Sequence, residues 1–256
     1  AVASGIQAAL NHKSKTQNPK SKIHVVAQGG DGGTFDIGLG LISGMWERGD
    51  DVIYICYDTE AYSNTGVQAS GATPWGANTT TTPIGECKTI PPTPLYQGGK
   101  NPPYPPLLKG ANCKLTGSEQ RKKDMIAIAL AHGLNYVAQS TAGFVDDIVA
   151  KVKRAMTVKG PSYIQILTPC VPGWNINPAH AVKLGKLAAQ TGLYPLLEYE
   201  NGRLTRVGKI PQPRIKVDEY LKSQGRFAHL LKSEYGKKQI EEIQKLADEN
   251  IEKYGL

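Results

Sequence analysis

The chain has 256 residues, 40% of them hydrophobic and 20% charged, with a formal net charge of +8. Such a length can bury one sizeable hydrophobic core. The sequence has no apolar run of about 18 or more residues, which excludes a membrane-spanning helix. The visible start also lacks a signal-peptide pattern. We therefore expect a cytoplasmic protein without a membrane partner.

The first predicted elements are a helix and a strand. Residues 1–12 have the small-residue pattern of a closely packed helix. Residues 23–28 follow as a strand, in which Ile23, Val25 and Val26 form a β-branched run that is typical of a buried position. Apolar residues then recur at the spacing of a second helix, namely Ile37, Leu41, Ile42 and Met45.

A glycine-rich turn, GGDGG at residues 29–33, joins this strand to the second helix. Such a turn directs backbone N–H groups and the positive end of the helix dipole at an anion such as phosphate. No lysine follows the glycines as in a Walker loop, and Phe35 occupies the third glycine position of a dinucleotide fingerprint. Asp31 would repel a phosphate unless a hard divalent cation of the magnesium type lay between them. The alternative is a tight turn with an exposed aspartate.

A second apolar strand, residues 52–57, ends in the polar loop DTEAYSNTG, residues 58–66. Because ligands of parallel α/β sheets bind beyond the carboxyl ends of the strands, we expect Asp31 and this loop at the same edge. Thr59, Asn64 and backbone carbonyls would then complete an octahedral oxygen shell around the metal.

Residues 87–113 have a different composition, with seven prolines between Pro91 and Pro106. Such a segment is typical of an extended polyproline-like loop. We expect it to cover the ligand site or to wrap a partner subunit, and a solvated surface loop is the alternative. Cys87 and Cys113 bracket it; a disulfide between them is possible, but an intracellular chain argues against it.

The remaining sequence alternates predicted helices and strands. Helical patterns cover residues 121–133 and 144–160, and strand patterns cover residues 134–139 and 162–170. This alternation predicts an α/β fold with a parallel sheet flanked by helices. Residues 237–255 predict an amphipathic helix, which we expect to dock on the body of the protein or on a neighbouring subunit.

Three stretches together resemble the thiamine diphosphate module of 2-oxoacid:ferredoxin oxidoreductases, in particular the β subunit of the pyruvate type. They are GDGGTFDIG, YDTEAYSNTGVQ and ATPWGANTTTTPIG. The resemblance extends to TPCVPGW and AVKLGKLAAQTGLYPLLEYENG, and it covers residues 1 to about 210. It implies a thiamine diphosphate-binding domain, residues 1–210 with the proline-rich insertion 87–113. Residues 211–256 are then a basic C-terminal extension that ends in the amphipathic helix.

The resemblance also implies a set of site residues. Asp31 and Thr59 would bind Mg²⁺ through their side chains and Ala61 through its carbonyl. Asn64 would lie close to the diphosphate and the substrate carboxylate, as the polar contact at the reacting end. The other expected cofactor contacts are Gly30, Gly32, Gly33, Tyr62 and Thr65. In this family the partner subunit binds the aminopyrimidine and supplies the glutamate that activates it, so no general base is expected here.

The family also holds a [4Fe–4S] cluster, through three N-terminal cysteines and a fourth that matches Cys170. This sequence begins at Ala1 and contains no C-x-x-C. Since such clusters normally need four thiolates, Cys170 is expected to be a ligand only if an N-terminal segment with those cysteines exists. The alternative is a buried thiol at a strand end.

The activity implied by the resemblance is oxidative decarboxylation of a 2-oxoacid, with pyruvate first, to acyl-CoA and CO₂. Electrons would pass to ferredoxin, and the partners would be the α and other subunits of the complex, ferredoxin, the 2-oxoacid and coenzyme A. A non-catalytic scaffold subunit is one alternative, favoured by the absent C-x-x-C and opposed by the set Asp31, Thr59 and Asn64. A different thiamine-dependent decarboxylase or an oxalate-type oxidoreductase are others.

Positive charge concentrates in residues 203–238, which contain ten Lys or Arg and three acidic residues. A nucleic-acid partner would require an aromatic platform or a groove-reading helix, and the segment shows neither, so none is expected. Contact with another subunit or with an acidic electron carrier fits the charge better. A solvated face is the alternative.

Overall fold

The computed structural model describes residues 1–17, 23–86 and 114–256. In chain order its elements are α1 (Val2–Gln17), β1 (Val25–Gly30), a π-helix (Gly32–Ile37), α2 (Leu39–Glu47), β2 (Val52–Asp58), β3 (Ile84–Glu86), β4 (Lys114–Thr116), α3 (Met125–Ala131), β5 (Tyr136–Thr141), α4 (Val145–Thr157), β6 (Ser162–Leu167), α5 (Val171–Trp174), α6 (Ala181–Gln190), β7 (Leu197–Glu200), β8 (Arg203–Val207), α7 (Val217–Leu221) and α8 (Glu234–Tyr254). Short 3₁₀ turns occur at Pro178–His180, Gly225–Phe227 and Leu230–Lys232. In this part of the chain, no helix has the length and apolar character needed to cross a bilayer.

The predicted proline-rich loop lies outside the described residues, as do Cys87 and Cys113, between which a disulfide is possible but not favoured. On either side of that gap, β3 and β4 pair as a small antiparallel ladder.

The main sheet has the strand order β1-β2-β6-β5-β7-β8. The first four of these strands are parallel to one another, which confirms the predicted α/β fold. β7 and β8 add an antiparallel extension at the far edge that the sequence patterns do not indicate. In the register of the sheet, Gly30 lies beside Tyr57, and Asp58 lies beside Leu167. The loops that follow β1, β2 and β6 therefore emerge at one edge, as predicted for Asp31 and the 58–66 loop.

The expectation that β1 is buried throughout is wrong. Val25 is buried and packs in the cluster that α1 and α2 cover. Ile23 and Val26, however, are 57% and 47% exposed. Val26 is exposed because successive side chains of the edge strand β1 point to opposite faces, so Val26 lies on the face opposite to the buried Val25. Ile23 precedes the strand, which begins at Val25.

The helix that follows the glycine-rich turn also differs from the expectation. Its first six residues form a π-helix, in which the backbone N–H of Gly38 donates to the carbonyl of Gly33 at 2.9 Å. A bond from i to i+5 widens the turn and changes the angle at which later side chains project. Of the apolar residues that define the predicted helix, Ile42 and Met45 are buried, whereas Ile37 and Leu41 are 81% and 64% exposed.

The C-terminal part of the chain builds a core of its own against the sheet. Leu167 of β6 and Leu184 of α6 pack there with Val217 and Leu221 of α7. Helix α8 contributes its apolar face, and its fully or largely buried members are Ile243, Ala247 and Ile251. The predicted amphipathic helix is thus confirmed, and it docks on the body of the chain.

Candidate cofactor and metal site

Asp31 lies directly after β1 and points toward the loop after β2. Its side chain is buried, with the residue only 1% exposed. Oδ1 accepts hydrogen bonds from the backbone N–H of Thr59 at 3.1 Å and from Thr59 Oγ1 at 2.8 Å. Oδ2 accepts a hydrogen bond from Ser70 Oγ at 2.5 Å. The carboxylate therefore joins two loops at the ligand-binding edge of the sheet.

The Thr59 hydroxyl also lies close to the carbonyl oxygen of Ala61, at 3.2 Å. Ser63 Oγ donates to Thr59 Oγ1 at 3.1 Å and approaches the Ala61 carbonyl at 3.4 Å. A carboxylate oxygen, a hydroxyl oxygen and a carbonyl oxygen thus meet in one place. The structure brings together Asp31, Thr59 and Ala61, and it adds Ser63 and Ser70, which the sequence analysis did not single out.

This donor set fits Mg²⁺ in its chemistry. In proteins Mg²⁺ is usually bound by one or two carboxylates, with phosphate oxygens and water completing its octahedron, so a dedicated all-protein cage is not required. Asp31 supplies one negative charge, while Thr59 and Ala61 supply neutral oxygens. Within the described ranges, no group of three or more His, Cys, Asp or Glu side chains could hold a metal ion. A site with one carboxylate therefore suits a cation that arrives with a phosphate ligand.

Tyr62 packs directly on the glycine-rich turn. A Cβ added at Gly32 would lie 2.2 Å from Tyr62 Cε1, so only glycine permits this approach. The Tyr62 hydroxyl donates to Asp36 Oδ2 at 3.0 Å. Partial burial, followed by the neighbouring Asp36 carboxylate, raises the pKa of Tyr62. The other glycines contribute backbone hydrogen bonds. The Gly30 carbonyl accepts one from Thr34 Oγ1 at 2.8 Å, and the Gly33 carbonyl accepts one from the backbone N–H of Gly38.

Asn64 and Thr65 are exposed in the turn that closes between Tyr62 and Gln68. Thr65 Oγ1 donates to Gln68 Oε1 at 2.7 Å. In the part of the chain that the structure describes, the side-chain partners of Asp31 are Thr59 and Ser70. The structure therefore places Asn64 in the same loop as the converging oxygens without joining it to their hydrogen-bonded group.

Cys170 lies at the start of α5, where its Sγ accepts from the backbone N–H of Gly173 at 3.3 Å. A Cβ at Gly173 would lie 3.0 Å from Cys170 Sγ and 3.5 Å from Ser63 Oγ. The thiol is thus close to the loop that carries the converging oxygens, and it is only partly buried. Cys56 is buried in β2, where burial and then the Asp58 charge raise the pKa of its thiol to about 12, which suits the expected core role.

Behind this loop lies a largely buried cluster of four charges that the sequence patterns do not indicate. Lys122 Nζ lies 2.5 Å from Asp58 Oδ2 and 2.7 Å from Glu60 Oε1. Arg226 donates to Glu60 Oε2 at 2.6 Å. Asp58 also accepts from Gln165 at 3.0 Å. Two cations therefore face two carboxylates on either side of Thr59 in sequence.

The protonation of this cluster follows from burial and charge together. Burial raises the pKa of Asp58 to about 6, although the Lys122 charge opposes it. Burial acts in the same direction on Glu60, but Lys122 and Arg226 outweigh it, so the pKa of Glu60 is lowered. The two carboxylates likewise outweigh burial at Lys122 and raise its pKa. Glu60 and Lys122 are thus held in their charged forms.

Trp174 links this cluster to Thr59. Its Nε1–H donates to the Thr59 carbonyl at 2.8 Å, and the Arg226 guanidinium lies 3.8 Å from the centre of its ring system. Sequence patterns do not indicate this role, because Trp174 and Arg226 are distant from Thr59 along the chain. The acidic pair Asp58 and Glu60 in the loop was the one local sign that buried cations would be needed nearby.

Known proteins resemble this chain over most of its length. Residues 1–166 match the family model described as thiamine pyrophosphate enzyme, C-terminal TPP binding domain. Pyruvate synthase subunit PorB of Methanosarcina barkeri is 43% identical over 256 residues, which covers 100% of this chain and 76% of the relative. Ketoisovalerate oxidoreductase subunit VorB of Pyrococcus furiosus is 37% identical over 257 residues, covering 99% of this chain and 71% of the relative.

A solved 2-oxoglutarate:ferredoxin oxidoreductase from Magnetococcus marinus superposes with a TM-score of 0.47 at 23% identity, covering 72% of this chain and 56% of that chain. The chain belongs to the thiamine pyrophosphate enzyme family, among the 2-oxoacid oxidoreductase subunits of the PorB and VorB type. The resemblance found in the sequence is thereby confirmed.

Proposed function

We propose that this chain is the thiamine diphosphate-binding β subunit of a 2-oxoacid:ferredoxin oxidoreductase that acts on pyruvate. The observation that carries the proposal is the convergence of the Asp31 carboxylate, the Thr59 hydroxyl and the Ala61 carbonyl. They meet where the adjacent parallel strands β1 and β2 end, which is the edge at which such sheets bind ligands. These three oxygens would hold Mg²⁺, and the metal would anchor the diphosphate.

The neighbouring residues would bind and orient the cofactor. Gly30, Gly32 and Gly33 would let the backbone approach the diphosphate closely, with Tyr62 packed on the turn. Asn64 and Thr65 lie in the exposed part of the same loop, and Asn64 would contact the substrate carboxylate at the reacting end. Bound thiamine diphosphate supplies an electron sink for decarboxylation of a 2-oxoacid.

The complete reaction would need other chains. We propose that the α and other subunits bind the aminopyrimidine and coenzyme A, that ferredoxin accepts the electrons, and that the complex works in the cytoplasm. Cys170 would be the fourth ligand of a [4Fe–4S] cluster if the whole protein has cysteines before Ala1. Its position near Ser63 supports this, because the sulfur lies close to the cofactor loop.

A branched-chain 2-oxoacid is the second candidate substrate. PorB subunits of Methanosarcina barkeri and Methanocaldococcus jannaschii are 43% and 41% identical to this chain, which favours pyruvate. VorB subunits of Pyrococcus furiosus and Pyrococcus horikoshii are 37% and 38% identical. Turnover of pyruvate and of ketoisovalerate by the purified complex, compared as kcat/KM, decides between the two. Iron and acid-labile sulfide in the same preparation would oppose a scaffold subunit or a simple decarboxylase.

The metal site is tested by Asp31→Asn in the full-length protein, in the assembly in which it purifies. Loss of a group behind a metal ligand typically weakens metal binding by about 10- to 100-fold. Because Asp31 would be a direct ligand, loss of its charge should weaken Mn²⁺ binding in the presence of thiamine diphosphate by about that factor or more. Free Mn²⁺ measured by electron paramagnetic resonance gives the affinity. Asp50→Asn is the matched control, because Asp50 is a surface carboxylate paired with Arg48 at 2.9 Å. If the Asp31 variant binds as tightly as the control, the proposed function is wrong.

A further inference from the structure

We propose that Glu60 and Arg226 are positioning residues that fix Thr59 for the metal. The inference rests on the proposed function, because it concerns how the donors of that site are held. Neither side chain is one of the oxygens that would bind the metal. Both act indirectly, by holding the backbone of the loop that carries Thr59. Arg226 also lies outside residues 1–166, the part that matches the family model.

The backbone at Glu60 has an unusual conformation. Its φ is +61°, in the left-handed region that non-glycine residues rarely adopt. This turn lets the Thr59 hydroxyl and the Ala61 carbonyl approach each other at 3.2 Å. Glu60 itself is buried on the other side, among the charges of Lys122 and Arg226. Such a strained backbone conformation persists only where the surrounding residues hold it in place.

Four contacts hold the Glu60 turn. Thr73 Oγ1 donates to the Glu60 carbonyl at 2.9 Å, and the backbone N–H of Glu60 donates to Asp58 Oδ1 at 3.2 Å. Lys122 pairs with one carboxylate oxygen at 2.7 Å, and Arg226 pairs with the other at 2.6 Å. Both oxygens of the carboxylate therefore have a cation, and the side chain has a single well-determined orientation.

Arg226 reaches Thr59 by a second route as well. Its guanidinium stacks on Trp174 at 3.8 Å, and Trp174 holds the Thr59 carbonyl at 2.8 Å. Gln224 Oε1 accepts from Arg226 Nε at 2.9 Å and orients the guanidinium. Arg226 thus supports Glu60 directly, through an ion pair. It supports Thr59 indirectly, through the Trp174 indole on which it stacks.

Removing Arg226 would leave one oxygen of the buried Glu60 carboxylate without its cation. The strained turn would then relax, and the distance between the Thr59 hydroxyl and the Ala61 carbonyl would no longer be fixed. Groups behind metal ligands act in this way, since they set the orientation in which the ligands meet the ion. We therefore expect removal of the Arg226 guanidinium to lower the affinity of the site for metal.

The test measures Mn²⁺ binding by electron paramagnetic resonance, with saturating thiamine diphosphate, in the full-length protein as it purifies after chelation of bound metal. Arg226→Met should raise the Mn²⁺ dissociation constant by at least about tenfold. Arg226→Lys keeps a cation for Glu60 but loses the planar fork, so it should recover part of the affinity. Lys151→Met is the matched control, because Lys151 is also a buried cation paired with a carboxylate, Asp147, at 2.5 Å.

The inference is overturned if Arg226→Met binds Mn²⁺ like the wild type, or if Lys151→Met weakens binding equally, which would indicate a general loss of stability. If Arg226→Met does not fold, Trp174→Phe replaces it, since that change removes the donor to the Thr59 carbonyl and keeps an aromatic ring. Unchanged Mn²⁺ affinity in Trp174→Phe would then overturn the inference. A wild-type protein that binds no Mn²⁺ with thiamine diphosphate would instead contradict the proposed function.

Discussion

Asp31 is a buried carboxylate whose two oxygens have different partners. Oδ1 faces both the N–H and the hydroxyl of Thr59, and Oδ2 faces Ser70. A buried ionised carboxylate requires such compensation, because its transfer out of water is costly. The hydrogen bonds hold Asp31 toward the loop after β2, with Oδ1 beside the hydroxyl that would share the metal. The partners of Asp31 thus explain how a carboxylate is accommodated within this glycine-rich turn.

Gly32 and Gly33 provide a matched pair of substitutions at this turn. Gly32→Ala should lower the free energy of unfolding by about 1–3 kcal/mol, because its Cβ would overlap the ring of Tyr62 at 2.2 Å. Gly33→Ala has nothing within 4 Å of its Cβ and should change stability little, by less than about 1 kcal/mol. Urea unfolding followed by circular dichroism measures both. Equal effects of the two variants would show that the Tyr62 contact is not what requires glycine.

At the scale of elements, the site depends on how strands end and how helices begin. β1 passes directly into a π-helix without a side-chain cap, and β2 passes into a loop with left-handed residues at Glu60 and Val67. These irregular segments lie between regular elements whose packing is extensive. Local irregularity at the carboxyl ends of the strands is therefore supported by the elements around it, which is common at functional sites.

Helix α8 illustrates the opposite case, an element that the local sequence specifies well. Ser233 caps it, since Ser233 Oγ accepts from the backbone N–H of Gly236 at 3.0 Å. Ser233→Ala should lower the free energy of unfolding by about 1 kcal/mol through loss of this acceptor. Ser233→Asp keeps an acceptor and should remain near the wild type. Thermal or urea unfolding distinguishes them, and an unaffected alanine variant would contradict the cap.

On the scale of the whole molecule, the C-terminal part completes the fold. Leu167, Trp174 and Leu184 share one hydrophobic cluster with residues of α7 and α8. The same part supplies Arg226, which contacts Glu60 in the candidate site. The C-terminal part of the chain therefore completes the hydrophobic core and also contributes to the candidate site.

Deletion of residues 211–256 should prevent stable folding, because it would expose the cluster around Leu167, Trp174 and Leu184 to water. The shortened chain should lack near-ultraviolet circular dichroism and a cooperative urea transition. A chain shortened only by Gly255 and Leu256 is the control for a change in length. A fragment of residues 1–210 that unfolds cooperatively would contradict this expectation.

The sequence by itself determined the parallel α/β sheet and the meeting of Asp31 with the 58–66 loop, because these features depend on local patterns: period-two and helical spacing, glycines in a turn, and polar residues directly after strands. The family was identified separately, from the resemblance of three motifs to known members. Thr59 was a candidate from the residues of this loop, and Ala61 came from the family resemblance. The metal- and cofactor-binding roles of all these residues, the role of Cys170 and the division at residue 210 stay predictions.

Only the tertiary structure decided which side chains hold the loop. Lys122, Trp174 and Arg226 reach it from distant parts of the chain, and no periodicity encodes such an encounter. The exposed half of β1, the π-helix and the antiparallel strands β7 and β8 were likewise decided there. The physical reason is common to all of them: burial, charge compensation and backbone strain depend on neighbours in space, whereas propensity and spacing depend on neighbours in sequence.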